Sequence, residues 1–465
     1  MSHSDFEHGT PQHGAAAPPD GAHGERPTRA RYGVLGFSVA MAVILYLDRM
    51  AISVPLLEIA DDLSLSEIQV GDAVAVFYFV YAVFQVPAGL LGDRWGGRRA
   101  LTLYVCVWSA AMAGLGLATG LASLMVMRVL LGMGQAGAYA TTASFLRRWF
   151  PLARRGFANS AVSLGGRAGG AVAPALTPVL MAVAGAWLIG VDRWRPVFLA
   201  YAEVGFVWSI VFWFWFRDVP RQHRRANAAE IALVAEGEPA GDSDQLAGGR
   251  IPVRAMLASR SLWLMSLMAF CVNVGWIFLA TWLPTYLIKV HGATDQQAGF
   301  YTSLTAFAGM AGCLAGGVAT DYFVRRIGLQ WARRVCGMTA YGGAALSLVG
   351  CWILNDATAI GVLLVASSFL GDFAIGSVWA SCQDVGGRYA GTDLGFANMC
   401  GNLGAACAAS FIGRLVLQFD WPAVFAMAGA AYTVATLAWL GVDVRARIDR
   451  QDEVAVSNES PQAAG

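Results

Sequence analysis

Charge is what this chain has little of. Of its 465 residues, 14% are Asp, Glu, Lys or Arg and 57% are hydrophobic. Soluble domains carry about 25% charged residues, so an ordinary water-exposed globule is excluded. The formal net charge of +1 gives no lead to a partner, and no nucleic acid is expected as one. No CxxC pair occurs among the eight cysteines, at 106, 271, 313, 336, 351, 382, 400 and 407. Each falls in an apolar segment and reads as a lone thiol packed as a small hydrophobe, not as half of a zinc or redox pair. No G-x-x-x-x-G-K-[ST] run is present, so no ATPase and no bound cofactor is expected. Residues 1–30 lack an apolar core of the signal-peptide kind. They read as a solvated, disordered tail, and His3, His8, His13 and His23 in it as part of that tail, not as a metal site.

What the chain does have is long apolar runs. A helix that crosses a bilayer needs about 20 mainly apolar residues. Twelve stretches qualify: 33–56, 70–91, 100–118, 122–146, 156–184, 195–216, 261–288, 297–320, 335–354, 359–383, 394–417 and 421–442. Backbone groups find no water partner in lipid, so such segments span as helices. The reading is an all-α membrane protein. A tail (1–30) precedes a six-helix half (31–217); a central loop (218–260) leads to a second six-helix half (261–444) and a C-terminal tail (445–465). Placing the N-terminus inside puts 25 of the 32 Lys and Arg residues in inside segments, against three in outside loops (Arg193, Arg195 and Lys289). That asymmetry sets the direction and puts both termini in the cytoplasm. A bacterial inner membrane suits the short loops.

The halves echo each other. After the second run comes "GLLGDRWGGRR" (89–99), and after the eighth "GVATDYFVRR" (317–326). Both place Gly, then Asp four later, then arginines at an inner end, and internal repeats of this kind build many transporters.

"GLLGDRWGGRR" resembles the signature loop of the major facilitator superfamily, and "RVLLGMG" (128–134) its fourth-helix motif. "TWLPTYL" (281–287) and "WASCQDVGGRYAGTDLGFANMCGNLGA" (379–405) resemble the anion:cation symporter family within it, which includes hexonate, hexuronate and glucarate permeases. The resemblance covers roughly residues 31–445. It implies the major facilitator fold, alternating access and a proton gradient as the energy source. It also implies that Gly89, Asp93, Arg94, Arg98 and Arg99 form a latch between the halves.

Ionisable groups inside a span are expensive and mark function. Asp48 and Arg49 sit in the first span and Arg128 in the fourth, with Gln135 two turns on; Arg167 lies in the fifth. Tyr78, Tyr81 and Gln85 form an i, i+3, i+7 stripe in the second. These groups are expected to share a water-filled cavity with Asn273, Trp276, Trp379, Ser381, Asn398 and Asn402 of the second half. Three arginines against Asp48 would attract an anion, since a guanidinium fork suits a carboxylate. The small organic anion expected is a sugar acid or other carboxylate, carried by a monomer. In the family, an acid seven residues after the fourth-span arginine pairs with the first-span Asp for proton coupling. Here that position is Gln135, which cannot titrate. Asp48 is then the leading proton carrier, with Glu203 and Asp372 as fallbacks, while Arg414 near a span end snorkels. An exchanger or facilitator without proton coupling, an efflux carrier and a transporter-like sensor remain as alternatives.

Overall fold

The computed structural model describes residues 25–187, 192–235, 253–292, 295–354 and 356–448. No strand occurs among them. Histidines 3, 8, 13 and 23 and most of both tails lie outside the described residues, as do residues 236–252 of the central loop.

The first half contains α1 (Ala30–Met50), α2 (Glu67–Trp95), α3 (Gly97–Gly116) and α4 (Leu121–Ala136, continuing as Ala138–Trp149). It ends with α5 (Arg155–Trp187) and α6 (Trp194–Trp215). The second half opens with α7 (Arg260–Ile277), which runs through a π-turn, Phe278–Trp282, into Leu283–His291. α8 (Asp295–Ile327), α9 (Leu329–Ile353) and α10 (Ala357–Phe373, continuing as Ile375–Gly386) follow. A last run, Ala390–Gly441, breaks at Asp420, dividing into α11 (390–419) and α12 (421–441).

Eleven stretches among the described residues are long and apolar enough to cross a membrane, where the sequence led to twelve. The difference is one stretch of 51 residues, Thr358–Ala408. As a single helix it would run about 75 Å at 1.5 Å per residue, more than twice the ~30 Å hydrocarbon core. The chain instead turns at Gly387, whose φ is +55°.

Local chemistry sets several boundaries. Ser66 caps α2 in a reciprocal box with Gln69, Ser259 accepts from Leu262 N at the start of α7, and Asp356 accepts from Ala359 N at α10. Gly96 and Gly328 end α2 and α8 at φ of +80° and +81°, a conformation that side chains with a Cβ rarely adopt. The repeat seen in the sequence therefore extends to the turn behind each Asp.

Each half buries its own core. One cluster gathers Trp108, Trp149, Trp194 and Phe198 with the other buried apolar residues of α1–α6, and the other gathers Tyr341, Phe425 and Trp439 in α7–α12. A cavity lies between the halves. Residues 25–29, expected as solvated tail, are instead tied down. Thr28 N donates to Asn227 Oδ1 (3.2 Å), and Glu230 accepts from Ala30 N (3.2 Å) and Arg31 Nη1 (3.0 Å). A short helix of the central loop, Ala228–Ala235, presents that Glu230 carboxylate.

Candidate substrate cavity

The cavity between the halves has a volume of about 300 Å³. Its wall is built from helix stripes, because residues three, four and seven apart share a face. The first half contributes Tyr46 and Arg49 from α1, Tyr78, Tyr81 and Gln85 from α2, Tyr139 from α4, and Ser163 and Arg167 from α5. The second half contributes Asn273 and Trp276 from α7, Tyr341 from α9, Asp372 and Trp379 from α10, and Asn398 and Asn402 from α11.

Eleven residues picked from the sequence thus meet here: Arg49, Tyr78, Tyr81, Gln85, Arg167, Asn273, Trp276, Asp372, Trp379, Asn398 and Asn402. Four others do not line the wall. Arg128 stands behind it. Its Nε donates to Ala73 O (2.9 Å), and its guanidinium lies 4.7 Å from the Phe77 ring, whose centroid is also 5.3 Å from the Arg49 guanidinium. Gln135 is a support: its Oε1 accepts from Arg49 Nε (3.3 Å) and its Nε2 donates to Leu45 O (3.1 Å). Ser381 is buried and donates to Ser377 O at 2.8 Å.

Asp48 is the largest departure. It lines a separate groove of about 240 Å³ among Ile44, Leu47, Leu176, Leu180, Tyr201 and Val204, and neither carboxylate oxygen has a hydrogen-bond partner of standard geometry among the described residues. The reason is geometric. Successive helical residues point about 100° apart, so Asp48 and Arg49 do not share a face. Glu203 and Arg414 are both exposed on the outer surface.

The charge balance of the cavity accordingly differs from three arginines against Asp48. Two arginines, Arg49 and Arg167, face one carboxylate, Asp372. Arg167 Nη1 lies 2.5 Å from Asp372 Oδ2, and Nη2 donates to Oδ1 at 2.6 Å, a two-pronged pair that joins α5 to α10 across the halves. Arg49 has no acidic partner of this kind among the described residues. Its guanidinium sits 4.4 Å from the Tyr81 ring and 4.9 Å from Tyr46, and aromatic faces hold a cation without neutralising it. The excess is one positive charge. Trp379 meets Tyr139 edge-on at 5.3 Å, so an aromatic contact also bridges the halves. Asn273 and Asn402 each donate to a carbonyl one turn back, Ala269 O (2.8 Å) and Asn398 O (2.9 Å).

At the arginine-rich inner ends of α2 and α8 a contact between the halves occurs twice. Asp93, at the end of α2, accepts from Gly391 N (3.0 Å), Thr392 N (2.7 Å) and Thr392 Oγ1 (2.7 Å) at the start of α11. Asp321, at the end of α8, accepts from Gly156 N (2.9 Å) and Phe157 N (2.8 Å) at the start of α5. Each acid caps a helix of the opposite half. A Cβ on Gly89 would come within 2.9 Å of Gly391 C, so only glycine allows this approach. Arg98 serves its own half through Trp213 O (2.8 Å); Arg94 and Arg99 are exposed. Asp384 adds a buried pair of ion pairs, to Arg155 (3.3 Å) from the first half and Arg333 (3.2 Å) from its own.

Tyr46, Tyr139, Ser163 and Tyr341 escaped the sequence reading. Tyr139 lies four residues after Gln135 and Ser163 four before Arg167, so helix periodicity around the chosen residues was the available signal. No group of three or more His, Cys, Asp or Glu able to hold a metal occurs among the described residues.

The pattern of the Major Facilitator Superfamily matches residues 39–409. A probable sulfoacetate transporter of Cupriavidus necator is 31% identical over 432 residues, covering 92% of this chain and 97% of that one. The hexuronate transporter of Bacillus subtilis is 30% identical over 415 residues, covering 87% and 93%. A D-galactonate transporter of Escherichia coli is 28% identical over 427 residues, covering 89% and 96%. Among solved structures, a proton:xylose symporter superposes with a TM-score of 0.70 at 14% identity, covering 91% of this chain and 98% of that one. The human organic anion transporter MFSD10 gives 0.64 at 13%, covering 89% and 100%. At such identities these two likenesses speak to the fold alone.

Proposed function

This chain belongs to the Major Facilitator Superfamily, and we propose that it is a secondary transporter of a small organic anion, a sugar acid or other short carboxylate or sulfonate. It is a transporter and not an enzyme. The anion sits between the halves, which rock about it so that each end opens in turn. One observation carries the substrate class: two arginines face the cavity against a single carboxylate. A site with an unmet positive charge at a guanidinium fork takes a carboxylate or sulfonate. Relatives named for sulfoacetate, hexuronate and galactonate transport support the same class.

Arg49 is the anchor. Gln135 fixes its Nε and tyrosine rings hold its planar face, leaving the charge for the substrate. Tyr78, Tyr81, Gln85, Asn273, Asn398 and Asn402 read hydroxyls, and Trp379 closes over the site. Uptake is driven by protons. The arginine-rich end is cytoplasmic, and the Asp93 and Asp321 contacts with Gly89 hold it closed while the other end admits substrate. The setting is a bacterial inner membrane and the working unit a monomer.

The test is uptake by proteoliposomes of radiolabelled sulfoacetate, galactonate, glucuronate and glucarate, with xylose as the neutral control. At least one anion is taken up and xylose is not. Charge-assisted hydrogen bonds contribute about 1.5–3 kcal/mol each, so Arg49→Gln weakens binding by roughly 10- to 100-fold. Failure of every anion to enter or exchange, or undiminished affinity in Arg49→Gln, overturns the reading.

A further inference from the structure

Given the anion-transport reading above, we propose that Asp372 carries the coupling proton, by competing with the substrate's carboxylate for the Arg167 guanidinium. Four observations lead there.

The first is placement. Asp372 and Arg167 both line the cavity, on opposite halves, and their contact uses both prongs of the guanidinium. Those are the N–H groups that a substrate carboxylate would engage, so an intact pair and a bound anion exclude each other at Arg167. The second is the neighbourhood. The groups facing Asp372 are Tyr341 from α9, Tyr432 from α12, and Cys313 with Gly309 from α8. Among the described residues Arg167 is the one cation acting on it. When Arg167 turns to a substrate, only a proton neutralises the carboxylate left behind, and a buried unpaired charge is strongly disfavoured.

The third is the lack of a competitor within the cavity. Gln135 cannot titrate, and Asp48 faces the apolar groove on the other side of α1. The fourth is the charge count. Arg49, Arg167 and ionised Asp372 leave the empty cavity at one positive charge. Adding one proton and one monoanion leaves it there again, so the two forms that reorient carry the same charge. A proton without an anion raises the cavity to two positive charges, and an anion without a proton strands the Asp372 carboxylate. Both half-loaded forms are penalised, which is what tight coupling requires.

The cycle balances. A proton from the acidic side binds an Asp372 oxygen and its bonds from Arg167 break. The Arg167 N–H groups re-form on the substrate carboxylate. On the other side the anion leaves, the proton is released and the pair closes again. A monoanion crosses electroneutrally with its proton, and a dianion carries one negative charge net.

The test uses the full chain in proteoliposomes, acid outside, with [14C]galactonate and [14C]sulfoacetate as probes. Asp372→Asn mimics the protonated group. It is expected to lose uphill accumulation and to make homoexchange at equal pH independent of pH, and Asp372→Glu to restore accumulation. Binding to the purified wild type in weakly buffered detergent solution should take up one proton per anion. Wild-type affinity should fall by about tenfold per pH unit on the alkaline side, and that of Asp372→Asn should not. Accumulation by Asp372→Asn at the wild-type level, or binding by the wild type without proton uptake, overturns the assignment while leaving anion transport standing. Wild type that neither exchanges nor accumulates either anion removes the anion-transport reading itself.

Discussion

Replacing Asp93 with Asn tests what holds the arginine-rich end shut. The first N–H groups of a helix have no partner within it, and at α11 Asp93 supplies one from the other half. It accepts three hydrogen bonds, from Gly391 N (3.0 Å), Thr392 N (2.7 Å) and Thr392 Oγ1 (2.7 Å). Each exists only while the halves meet at this end. Bonds to a charged acceptor are each worth about 1.5–3 kcal/mol, some twice a neutral one, and a negative charge at a helix N-terminus adds up to ~2 kcal/mol. Asparagine keeps one acceptor oxygen and loses the charge. Relief of the buried carboxylate offsets part of that loss, so about 2–4 kcal/mol of closure remains at stake. At 1.4 kcal/mol per tenfold, the closed state loses roughly 30- to 700-fold in population. The assay is electron–electron resonance between spin labels at Arg99 and Ile327, both exposed and one in each half, in a chain whose eight native cysteines are replaced. Asp93→Asn should add a longer-distance population, and Asp321→Asn, with two bonds in place of three, a smaller one. An unchanged distance distribution in Asp93→Asn would show that these bonds do not decide closure.

Three further outcomes follow from the same contacts. Gln135→Glu puts a carboxylate where a neutral amide now holds Arg49 Nε; cavity charge falls by one, and anion affinity at neutral pH should drop about tenfold at an effective dielectric near 20, an unchanged competition-binding constant counting against the charge argument. Gly316→Ala sets a Cβ against the Phe373 backbone, 2.6 Å from its carbonyl carbon; α8 and α10 must separate, at an overpacking cost of about 1–3 kcal/mol, and a melting temperature equal to wild type in detergent would refute that. His223, outside the crossings, sits 4.6 Å from the Trp215 ring and 5.4 Å from Trp149. Burial first, then Arg217 and Arg225, push its imidazole below the ordinary value. Its contribution to stability is therefore whole above the unfolded value of about 6.5 and is lost as pH falls below it. Between about pH 7.5 and 5.5 the melting temperature should fall more in wild type than in His223→Phe; equal falls would sink this account.

Helix positions were open to a reader of the sequence because lipid leaves a chain one economical solution, and apolar length alone announces it. The sequence also separates α10 from α11, although the turn between them, with Gly386, Gly387 and Tyr389 buried, leaves one uninterrupted apolar stretch, Thr358–Ala408. The Gly89–Asp93 and Gly317–Asp321 repeat was legible as spacing; that each acid caps a helix of the other half was not, because the partners lie far along the chain. Facing was the least legible quantity. Depth placed Arg49 and Arg128 on one level and Gln135 two turns further along the same face, and Arg49 does neighbour both, with the Phe77 ring between the two guanidiniums. Which of them reaches the cavity depends on rotation about a helix axis, and one residue of sequence is 100° of rotation. On α10, Asp372, Ile375 and Trp379 do form an i, i+3, i+7 stripe along the wall. Asp372 and Trp379 were each open to the sequence; that they share a face across the break between Phe373 and Ile375 was not.

The departure at position 135 and the acid at position 372 make sense together. The resemblance implies an acid at position 135 working with the first-span Asp48; in this chain that position lies beside Arg49 on the first half. Here a glutamine holds that arginine without neutralising it, and the carboxylate stands on the second half against Arg167. With an acid at 135 and none at 372 the count would be the same as here, two guanidiniums and one carboxylate. What changes is which helices the ion pair joins. An acid on α4 would pair with α1 inside one rigid half, whereas Asp372 pairs α10 with α5 across the two bodies that must move. An ion pair within a half reports on the site alone. One between halves is also part of the interface that opens and closes, so protonation breaks a contact between the two moving bodies in the same step that frees the anion site. Moving one carboxylate across the cavity would thus let a single proton act on binding and on reorientation through the same two residues.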